Sequence, residues 1–449
     1  MKDRKELLSK LNATQIILLS FFTVIALGTL FLATPLSSKS GEWTDFTTAL
    51  FTAASATCVT GLTVVETASY FSTFGKFVIL ALIQVGGLGI MTIISMFSVM
   101  FSRSSSLKNR NIAMQATGAI SYSEVRGLLA MILIGTAIFE SAGAALLSIR
   151  FTQIYGVADG IKQAIFLSIS AFCNAGFDII GSSSLSAFYS DPLVLLIVSG
   201  LIIMGGIGYI AWFDFIKKGF KIKNYSLHSK IALSVTGVLL VVGTLAFLFT
   251  EYNGAFGDLT FPEKLLNAFF QSVTLRTAGF YAVDQSAISE SGVLICYIFM
   301  FIGGTSGSTA GGLKTTTFAV LIFSFIASLK REEQVYVFKR KISANIVKVA
   351  FSIAIAYLVL LFISTVAILS IEGGAEGMTL QNVVFETISA IGTVGLSRGI
   401  TPHLSVASRI IITLLMYMGR VGGLTFMLAF STPKSVKSTT RPKENILIG

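Results

Sequence analysis

A phenylalanine precedes a glycine by ten residues in four separate segments of this chain. The segments read FTAASATCVTGL, FLSISAFCNAGF, FFQSVTLRTAGF and FETISAIGTVGL, and they recur at intervals of about 110 residues. Four copies of one pattern at a regular spacing predict four structural units of the same kind. The pairs are Phe51 and Gly61, Phe166 and Gly176, Phe269 and Gly279, and Phe385 and Gly395.

The composition is that of a membrane protein. Hydrophobic residues make up 53% of the 449 residues and charged residues 12%, and the mean hydropathy is +0.81. A soluble domain has roughly 25% charged residues. The first apolar run, from Thr14 to Ala33, is long enough to cross the hydrocarbon core. Since it lacks a small-residue cleavage site, we interpret it as a retained helix and not as a signal peptide.

The basic residues are concentrated in five segments, and this predicts the orientation. The net charge is +11, and most of the Lys and Arg residues lie in segments 1–10, 101–126, 217–230, 330–348 and 431–449. An excess of Lys and Arg marks the cytoplasmic side of a membrane protein. Both termini are therefore predicted to be cytoplasmic, and the basic loops are expected to contact anionic lipid headgroups. This placement argues against a nucleic-acid partner.

Each unit reads as a helix that crosses the membrane, a short segment that enters and leaves on one side, and a returning helix. Because each unit crosses twice, all four have the same orientation, which is typical of parallel repeats about an axis along the membrane normal. The predicted units are residues 14–101, 128–218, 230–329 and 345–430, between a cytoplasmic N-terminus of residues 1–13 and a C-terminal tail of residues 431–449.

The predicted fold is therefore an all-α membrane protein with four helix–pore-loop–helix (M1-P-M2) repeats and fourfold pseudo-symmetry around one central pore. The returning helices are expected over 74–101, 191–216 and 406–430, whereas that of the third unit is expected in two pieces. The dipping segments are too short to span as helices, and irregular backbone at that depth is tolerated where it lines water. The alternative, four interfacial amphipathic helices, leaves the shared position of the glycines unexplained.

The residues before each glycine predict an ion-binding selectivity filter. Glycine reaches the conformations that turn backbone carbonyls toward an axis, and rings of carbonyls can replace the hydration shell of a potassium ion. No carboxylate ring is present, and the C-terminal ends of the dipping helices favour a cation, so we expect a monovalent one. The filter residues are Thr57, Cys58, Val59, Thr60, Gly61, Phe172, Cys173, Asn174, Ala175, Gly176, Leu275, Arg276, Thr277, Ala278, Gly279, Ile391, Gly392, Thr393, Val394 and Gly395.

One predicted filter residue is charged. A guanidinium at Arg276 that faced a cation pore would repel the ion, so we expect it to turn behind the filter and pair with Glu386. The alternative is a direct role in tuning conduction. Glu140 lies in the middle of a spanning helix and is expected to be hydrogen-bonded within the bundle, with a proton relay as the alternative. For Asp214 we expect a surface ion pair with Lys217 or Lys218.

The returning segment of the third unit contains GGTSGSTAGGLKTTT. Its glycines and hydroxyl residues are expected to break the helix below the filter and form a gate, and we expect Arg420 to donate hydrogen bonds to this loop. Glycines 86, 87, 205 and 206 are instead expected to permit close helix approach. The predicted gate residues are Gly303, Gly304, Thr305, Ser306, Gly307, Ser308, Thr309, Ala310, Gly311, Gly312, Lys314 and Arg420.

Together these motifs closely resemble the Trk/Ktr/HKT superfamily of potassium transport proteins, and most strongly the membrane subunit of the bacterial Ktr potassium uptake system. The resemblance runs from about Thr14 to Phe430. It implies that the four glycines form the filter, and that Gly61, where sodium-favouring members have serine, favours potassium. It further implies that residues 303–317 form a gate facing Arg420, that the chain is a homodimer in the bacterial plasma membrane, and that a cytosolic ring of RCK/KTN subunits binds ATP or ADP. This chain is expected to hold no cofactor.

The leading functional hypothesis is a channel-like potassium-translocating subunit. The alternatives are a transporter that couples potassium to sodium or protons, and a non-transporting scaffold. An enzyme is not indicated, because the spans contain no nucleophile–base pair, and the three cysteines have no zinc-site spacing.

Overall fold

The computed structural model describes residues 13–89, 122–181 and 183–423. In the first part of the chain the helices are α1 Ala13–Ala33, α2 Phe46–Thr57, α3 Thr67–Tyr70, α4 Thr73–Leu88, α5 Tyr122–Tyr155, α6 Val157–Phe172, α7 Pro192–Ile207 and α8 Tyr209–Lys218. The later helices are α9 Leu227–Thr250, α10 Phe261–Thr274, α11 Glu290–Phe301, α12 Thr315–Leu329, α13 Ala344–Glu372, α14 Leu380–Gly392 and α15 Val406–Val421. Short 3₁₀ turns cover Ser186–Phe188, Ile222–Asn224 and Thr401–His403, and strands β1 Tyr336–Val337 and β2 Arg340–Lys341 form a small antiparallel hairpin.

Four helices of the described chain are long and apolar enough to span a membrane. These spans cover Thr14–Ala33, Gly127–Tyr155, Leu227–Thr250 and Ala344–Glu372. Each lies at the start of one predicted unit, and its lipid-facing side carries exposed Leu, Ile, Val and Phe side chains. The helices predicted to return are shorter, with 12 to 16 residues in α4, α7, α11 and α15. The eight predicted crossings therefore stay a prediction.

The four dipping segments form the short helices α2, α6, α10 and α14, of 12, 16, 14 and 13 residues. Three begin at a capping side chain: Asp45 accepts from the N–H of Thr48, Thr379 accepts from Asn382, and Thr260 starts a capping box. Each helix stops just before a motif glycine. Three of the four motif phenylalanines, at positions 51, 166 and 385, are buried in the core around these helices.

Glycines allow the returning helices to lie directly against the ends of the dipping helices. A Cβ atom added to Gly86 or Gly205 would lie 2.0 Å from the carbonyl oxygen of Thr57 or Phe172. The corresponding contact in the fourth unit is at Gly419, 2.1 Å from the oxygen of Ile391. No larger side chain fits at these positions. The prediction of close approach at Gly86 and Gly205 is confirmed, and Gly419 belongs with them.

The prediction of one continuous helix over 191–216 is wrong. Helix α7 ends at Ile207, and α8 leaves it at an angle of 91°. Gly208 has φ +96° and ψ 144°, which no residue inside a helix adopts. Gly89 and Gly422 end α4 and α15 in the same way, with φ of +82° and +92°. The remainders of those two predicted helices, residues 90–101 and 424–430, lie outside the described residues.

Candidate ion pathway

Four glycines close into a ring where the four repeated segments end. Their φ values are +97° at Gly61, +68° at Gly176, +80° at Gly279 and +92° at Gly395. A Cβ atom added to Gly61 would lie 2.9 Å from the Cα of Gly176, and one added to Gly176 would lie 2.9 Å from the Cα of Gly279. A Cβ atom added to Gly279 would lie 3.3 Å from the Cα of Gly395, and one added to Gly395 would lie 3.0 Å from the Cα of Gly61. The four residues, here called the glycine ring, therefore follow one another in chain order around a closed circle.

The backbone carbonyl just before each ring glycine lies against the neighbouring glycine. Cβ atoms added to the four glycines would approach these oxygens to between 2.0 and 3.0 Å. Side chains are thus excluded from the ring, and its lining is backbone. Carbonyl oxygens in a ring are suitable ligands for a monovalent cation. The pairs are the oxygen of Ala175 with Gly61, Ala278 with Gly176, Val394 with Gly279 and Thr60 with Gly395.

The residue two positions before each ring glycine has a left-handed backbone. The φ values are +57° at Val59, +58° at Asn174, +69° at Thr277 and +50° at Thr393. For residues other than glycine this conformation costs about 1–2 kcal/mol, and it is least expected for β-branched side chains. Such outliers persist where the surrounding structure imposes them, commonly at functional sites. Their recurrence at one position in all four segments indicates that the same backbone shape is required in each.

A serine holds this backbone shape in three of the segments, and sequence reasoning missed it. The carbonyls of Ser55, Ser170 and Ser389 accept from Thr60, Ala175 and Val394 at 2.7–2.8 Å. The hydroxyls of Ser55 and Ser389 accept from the ring glycines of their own segments at 3.1 Å, whereas that of Ser170 accepts from Phe177. In the third segment Thr274 takes over, since its carbonyl accepts from Ala278. Superposing the four motifs would have revealed a serine six residues before the glycine in three of them.

A vestibule of about 480 Å³ opens above the glycine ring, on the side opposite the predicted cytoplasmic loops. Its lining includes the carboxylates of Glu66, Asp178 and Asp284. Burial is the main reason why the pKa of Asp178 is raised to about 6. The guanidinium of Arg398 also lines the vestibule, but it donates to the backbone carbonyls of Gln285 and Ser286 and to the side chain of Asn382. Arg398 therefore joins two loops on the vestibule side of the glycine ring.

The glycine-rich loop, residues 302–314 between α11 and α12, lies against the broken end of α7. The N–H groups of Thr305 and Thr309 donate to the carbonyls of Gly206 and Gly205 at 3.1 and 3.3 Å. In the opposite direction, the N–H of Tyr209 donates to the carbonyl of Gly307 at 2.8 Å. The carbonyls that a continuous α7 would use internally are thus satisfied by the loop, which explains why the helix breaks there.

The hydroxyl groups of the loop tie it further in place. Thr309 Oγ1 donates to the carbonyl of Phe172, at the end of α6, at 3.1 Å. Within the loop, Ser308 Oγ donates to Thr305 and Lys314 Nζ donates to Ala310. The loop ends are joined by Gly303 N–H, which donates to Leu313. The expected helix break in the third unit is therefore present, as an ordered and extensively hydrogen-bonded loop.

Arg420 links this loop to the first unit. Its Nη1 donates to the carbonyl of Thr309, and its Nη2 donates to the carbonyls of Gly86 and Gly87, the latter at 3.1 Å. The expected contact between Arg420 and the loop is present. The bridge to the end of α4 was not anticipated. One guanidinium thus holds together parts of the first, third and fourth units, close to the ends of α2 and α6.

Comparisons with known proteins identify the family of this chain. The family model for TrkH, described as cation transport protein, matches residues 2–439. The chain belongs to the TrkH family of cation transport proteins. The activity of this family is transport, so this TrkH-family chain is not an enzyme. The resemblance stated from the sequence motifs is confirmed at the level of the family.

Two curated relatives and one solved structure are similar to the chain over most of its length. It is 40% identical to the potassium/sodium uptake protein NtpJ of Enterococcus hirae, over 99% of each chain. It is 38% identical to the Ktr system potassium uptake protein B of Bacillus subtilis, over 96% of this chain and 95% of the relative. The crystal structure of the potassium transporter TrkH from Vibrio parahaemolyticus matches with a TM-score of 0.73 and 19% identity, covering 94% of this chain and 85% of that one. The last match shows that the fold is shared.

The predicted ion pair between Arg276 and Glu386 is wrong for this TrkH-family chain. Among the described residues the ion pairs join other side chains. Both residues are buried, but Glu386 accepts from the hydroxyl of Thr401 in an outer loop. The motif position of Arg276 corresponds to Gly392, six residues after Glu386, which is about 9 Å along a helix axis at 1.5 Å per residue. The two side chains therefore lie at different depths. A direct effect of Arg276 on conduction stays a prediction.

The other acidic residues differ in how they are held. The partly exposed Glu140 accepts from Gln84 Nε2 at 3.3 Å, and the thiol of Cys173 lies 3.8 Å from its other oxygen. This carboxylate is hydrogen-bonded between two units, as expected. Asp214 pairs with Lys218, as expected, but it is buried and not on the surface, and it also accepts from the N–H of Ser226 and the hydroxyl of Ser229.

His228 is a residue for which the sequence suggested no role. It is the second residue of α9, and its side chain lies beside the backbone of Ser306 in the glycine-rich loop. Nothing in the sequence pattern brings these two positions together, because they are almost eighty residues apart. Their contact places the start of α9 next to the loop.

Proposed function

We propose that this chain is the potassium-translocating membrane subunit of an ion uptake system in the bacterial plasma membrane. The observation that carries the proposal is the glycine ring, whose lining consists of four glycines and four backbone carbonyls in a closed circle. Such a lining favours a weakly hydrated monovalent cation over a divalent one, because no carboxylate contributes to it. The printed names of the curated relatives, potassium/sodium uptake protein and Ktr system potassium uptake protein, support the choice of ion.

The architecture that we propose is four parallel helix–pore-loop–helix repeats around one pore. In this arrangement the filter consists of the residues from Thr57, Phe172, Leu275 and Ile391 to the glycine that ends each segment. The closed order of the glycine ring and the equal positions of the left-handed residues support this pseudo-symmetry. Carbonyls of the filter coordinate potassium in place of its water, and the acidic vestibule attracts cations from outside.

The glycine-rich loop is the proposed gate. It lies below the glycine ring and is bonded to the end of α6, the break of α7 and Arg420. Conduction requires that this loop move out of the path, which means that some of these hydrogen bonds must open. The arrangement described here is accordingly a closed one, and its many polar contacts explain why it needs an external signal to open.

The proposed signal comes from a cytosolic ring of RCK/KTN-type subunits that bind ATP or ADP. The printed name "Ktr system" of the Bacillus relative supports a system of several components. The basic cytoplasmic loops offer a docking surface: Lys339, Arg340 and Lys341 are exposed on the hairpin between α12 and α13. The basic segment 101–126 lies largely outside the described residues. A homodimer with one pore per subunit completes the proposed assembly, with no cofactor on this chain.

The test is ion flux through the purified protein in liposomes, comparing potassium, sodium and rubidium. Gly61→Ser should reduce the preference for potassium, since a side chain at this position meets the Ala175 carbonyl at 2.7 Å and the backbone has φ +97°. Gly374→Ser is the matched control, because Gly374 has a similar φ of +90° but nothing within 4 Å. Equal loss of selectivity in both variants, or no effect of Gly61→Ser, would show that the glycine ring is not the filter.

A sodium- or proton-coupled potassium symporter is the second candidate, and Glu140 is the observation that favours it. This carboxylate lies mid-helix between two units, next to Gln84 and Cys173. A coupled mechanism predicts potassium flux against its gradient when a sodium or proton gradient is imposed, and loss of that coupling in Glu140→Gln. Flux that follows only the potassium gradient would exclude it.

A further inference from the structure

An apolar groove of about 720 Å³ lies on the surface of the protein between α5, α7 and α8. Met131, Ile134 and Ile138 form one wall, and Trp212, Phe215 and Ile216 of α8 form another. Among the described residues, no charged side chain lines the groove. Its shape and lining suit a hydrocarbon chain, because an open apolar groove is stable when lipid covers it.

Helix α8 forms the floor of the groove at the cytoplasmic side of the membrane. It leaves α7 at 91°, so it runs along the membrane plane when α7 crosses it. Phe215, Ile216 and Phe220 are 48%, 66% and 88% exposed. A helix in the membrane plane with exposed apolar residues and neighbouring lysines is typical of an interfacial helix.

The charges at the end of this helix are complementary to an anionic headgroup. Residues 209–224 contain four lysines and one aspartate. The aspartate, Asp214, is paired with Lys218, which leaves Lys217, Lys221 and Lys223 exposed. Lys217 lies above the ring of Phe213, with Nζ 4.1 Å from its centroid. Basic residues next to an apolar surface attract anionic lipid at the inner leaflet.

The ring of Trp212 lines the groove. Trp212 is 7% exposed, and its Nε1 has no hydrogen-bond partner within the described part of the chain. Buried N–H groups are normally paired. Because this nitrogen itself is buried, the ring of Trp212 contributes apolar contact to the groove and a fluorescent reporter beside it.

We propose that this groove, hereafter the α5–α8 groove, binds an anionic phospholipid, with an acyl chain against Trp212 and Ile134 and the headgroup at Lys217 and Lys221. The first residue of α8, Tyr209, donates its N–H to Gly307 of the glycine-rich loop. A lipid that holds α8 in place therefore also holds one contact of that loop. The site is a point at which membrane composition acts on the loop.

Tryptophan fluorescence tests the site without relying on transport. The chain has two tryptophans, Trp43 and Trp212, and Trp43 is 75% exposed in an outer loop. In a Trp43→Phe background only Trp212 reports. Brominated phosphatidylglycerol should quench it at lower mole fractions than brominated phosphatidylcholine. Equal quenching by the two lipids would overturn the proposal.

Two variants test the parts of the site. Lys217→Gln with Lys221→Gln should weaken the preference for the anionic lipid by about fivefold for each lysine, whereas the control Lys339→Gln with Lys341→Gln should retain it. Ile134→Phe should reduce quenching by both lipids by filling the groove, whereas Leu146→Phe, exposed on the same helix, should not. If no variant changes quenching, the groove does not hold the lipid. Quenching that appears only after dissociation into monomers would show that a second copy covers the groove.

The effect on the loop is measured separately and rests on the proposed function. Rubidium flux should change with the fraction of phosphatidylglycerol in the native protein and not in the double lysine variant. Quenching as expected with flux independent of lipid would refute the effect on the loop and leave the binding site standing. Absence of flux in every lipid, even in an Arg420→Gln variant that lacks the contact with Thr309, would count against the proposed function, and the quenching result would still decide whether the lipid binds.

Discussion

Arg420 is the residue whose loss should open the proposed gate most directly. Its guanidinium bridges Thr309 of the glycine-rich loop to Gly86 and Gly87 at the end of α4. In Arg420→Gln the side chain keeps one NH₂ group and loses the charge, so it cannot reach both sides of the bridge. A hydrogen bond from a charged donor contributes about 1.5–3 kcal/mol. Loss of the bond to Thr309 should therefore shift the loop toward the open form by roughly 10- to 150-fold.

The assay is rubidium uptake into liposomes that contain the purified chain without a cytosolic partner. Basal flux of the native protein should be low. Arg420→Gln should raise it by at least tenfold, because a loss of roughly 1.4 kcal/mol changes the equilibrium between closed and open loop tenfold. Arg420→Lys should give an intermediate increase, because a lysine keeps the charge but cannot bridge two groups at once. Arg409→Gln is the matched control: Arg409 lies on the same helix, and its guanidinium bonds to Pro402 at the outer side.

Stability must be measured alongside flux to separate opening from unfolding. Cys58, Cys173 and Cys296 are all free and buried, so a thiol-reactive dye reports unfolding of the described core. The reasoning is refuted if Arg420→Gln melts within a few degrees of the native protein and shows unchanged basal flux. It is also refuted if Arg409→Gln raises flux by the same factor, because the effect would then not depend on the bridge.

Three further predictions concern the vestibule, the filter and the cytoplasmic side. Since the pKa of Asp178 is raised to about 6, protonation removes its charge as the outer pH falls through that value. Potassium uptake at low concentration should fall over this range, and Asp178→Asn should remove that dependence; a native pH profile shared by Asp178→Asn would contradict it. Ser389→Ala removes the acceptor for Gly395 N–H, worth about 1 kcal/mol, and should lower the potassium-to-sodium flux ratio by up to about fivefold. Ser370→Ala, exposed on α13, should leave the ratio unchanged. Asp214→Asn should lower the free energy of unfolding by about 2 kcal/mol through its bonds to Lys218, Ser226 and Ser229. Asp159→Asn, which breaks an exposed pair with Lys162, should lower it by less than about 1 kcal/mol in the same thermal melt.

Local patterns predicted many elements of the described fold. The apolar run Thr14–Ala33 predicted α1 to within one residue, and the predicted starts of the third and fourth units, at residues 230 and 345, lie within three residues of the starts of α9 and α13. The GGTSGSTAGG run predicted the break between α11 and α12. These features depend on residues that are close together in the chain, so the local sequence is sufficient to predict them.

The same reasoning failed where the determinant is distant in the chain. The break of α7 at Gly208 was missed, because glycine is also common where two membrane helices approach closely. What distinguishes the two cases is Thr305 and Thr309, which lie about one hundred residues later and take the carbonyls of the α7 end. The pairing of Arg276 with Glu386 failed for a different reason: Glu386 accepts from the hydroxyl of Thr401 in a loop whose position the helix pattern does not predict.

The sequence by itself determined the membrane class, the four repeated segments, the glycine at the end of each and the irregular loop of the third unit. Each of these follows from composition or from conformational limits of single residues. Only the tertiary structure decided that the glycines meet in one ring, that Arg420 bridges the glycine-rich loop to Gly86, and that Asp214 is buried. Those outcomes depend on the angles and depths at which helices pack. For the glycine ring and the Arg420 bridge, these are fixed by contacts between residues more than one hundred positions apart. For Asp214, they are fixed by shorter-range contacts to the start of α9.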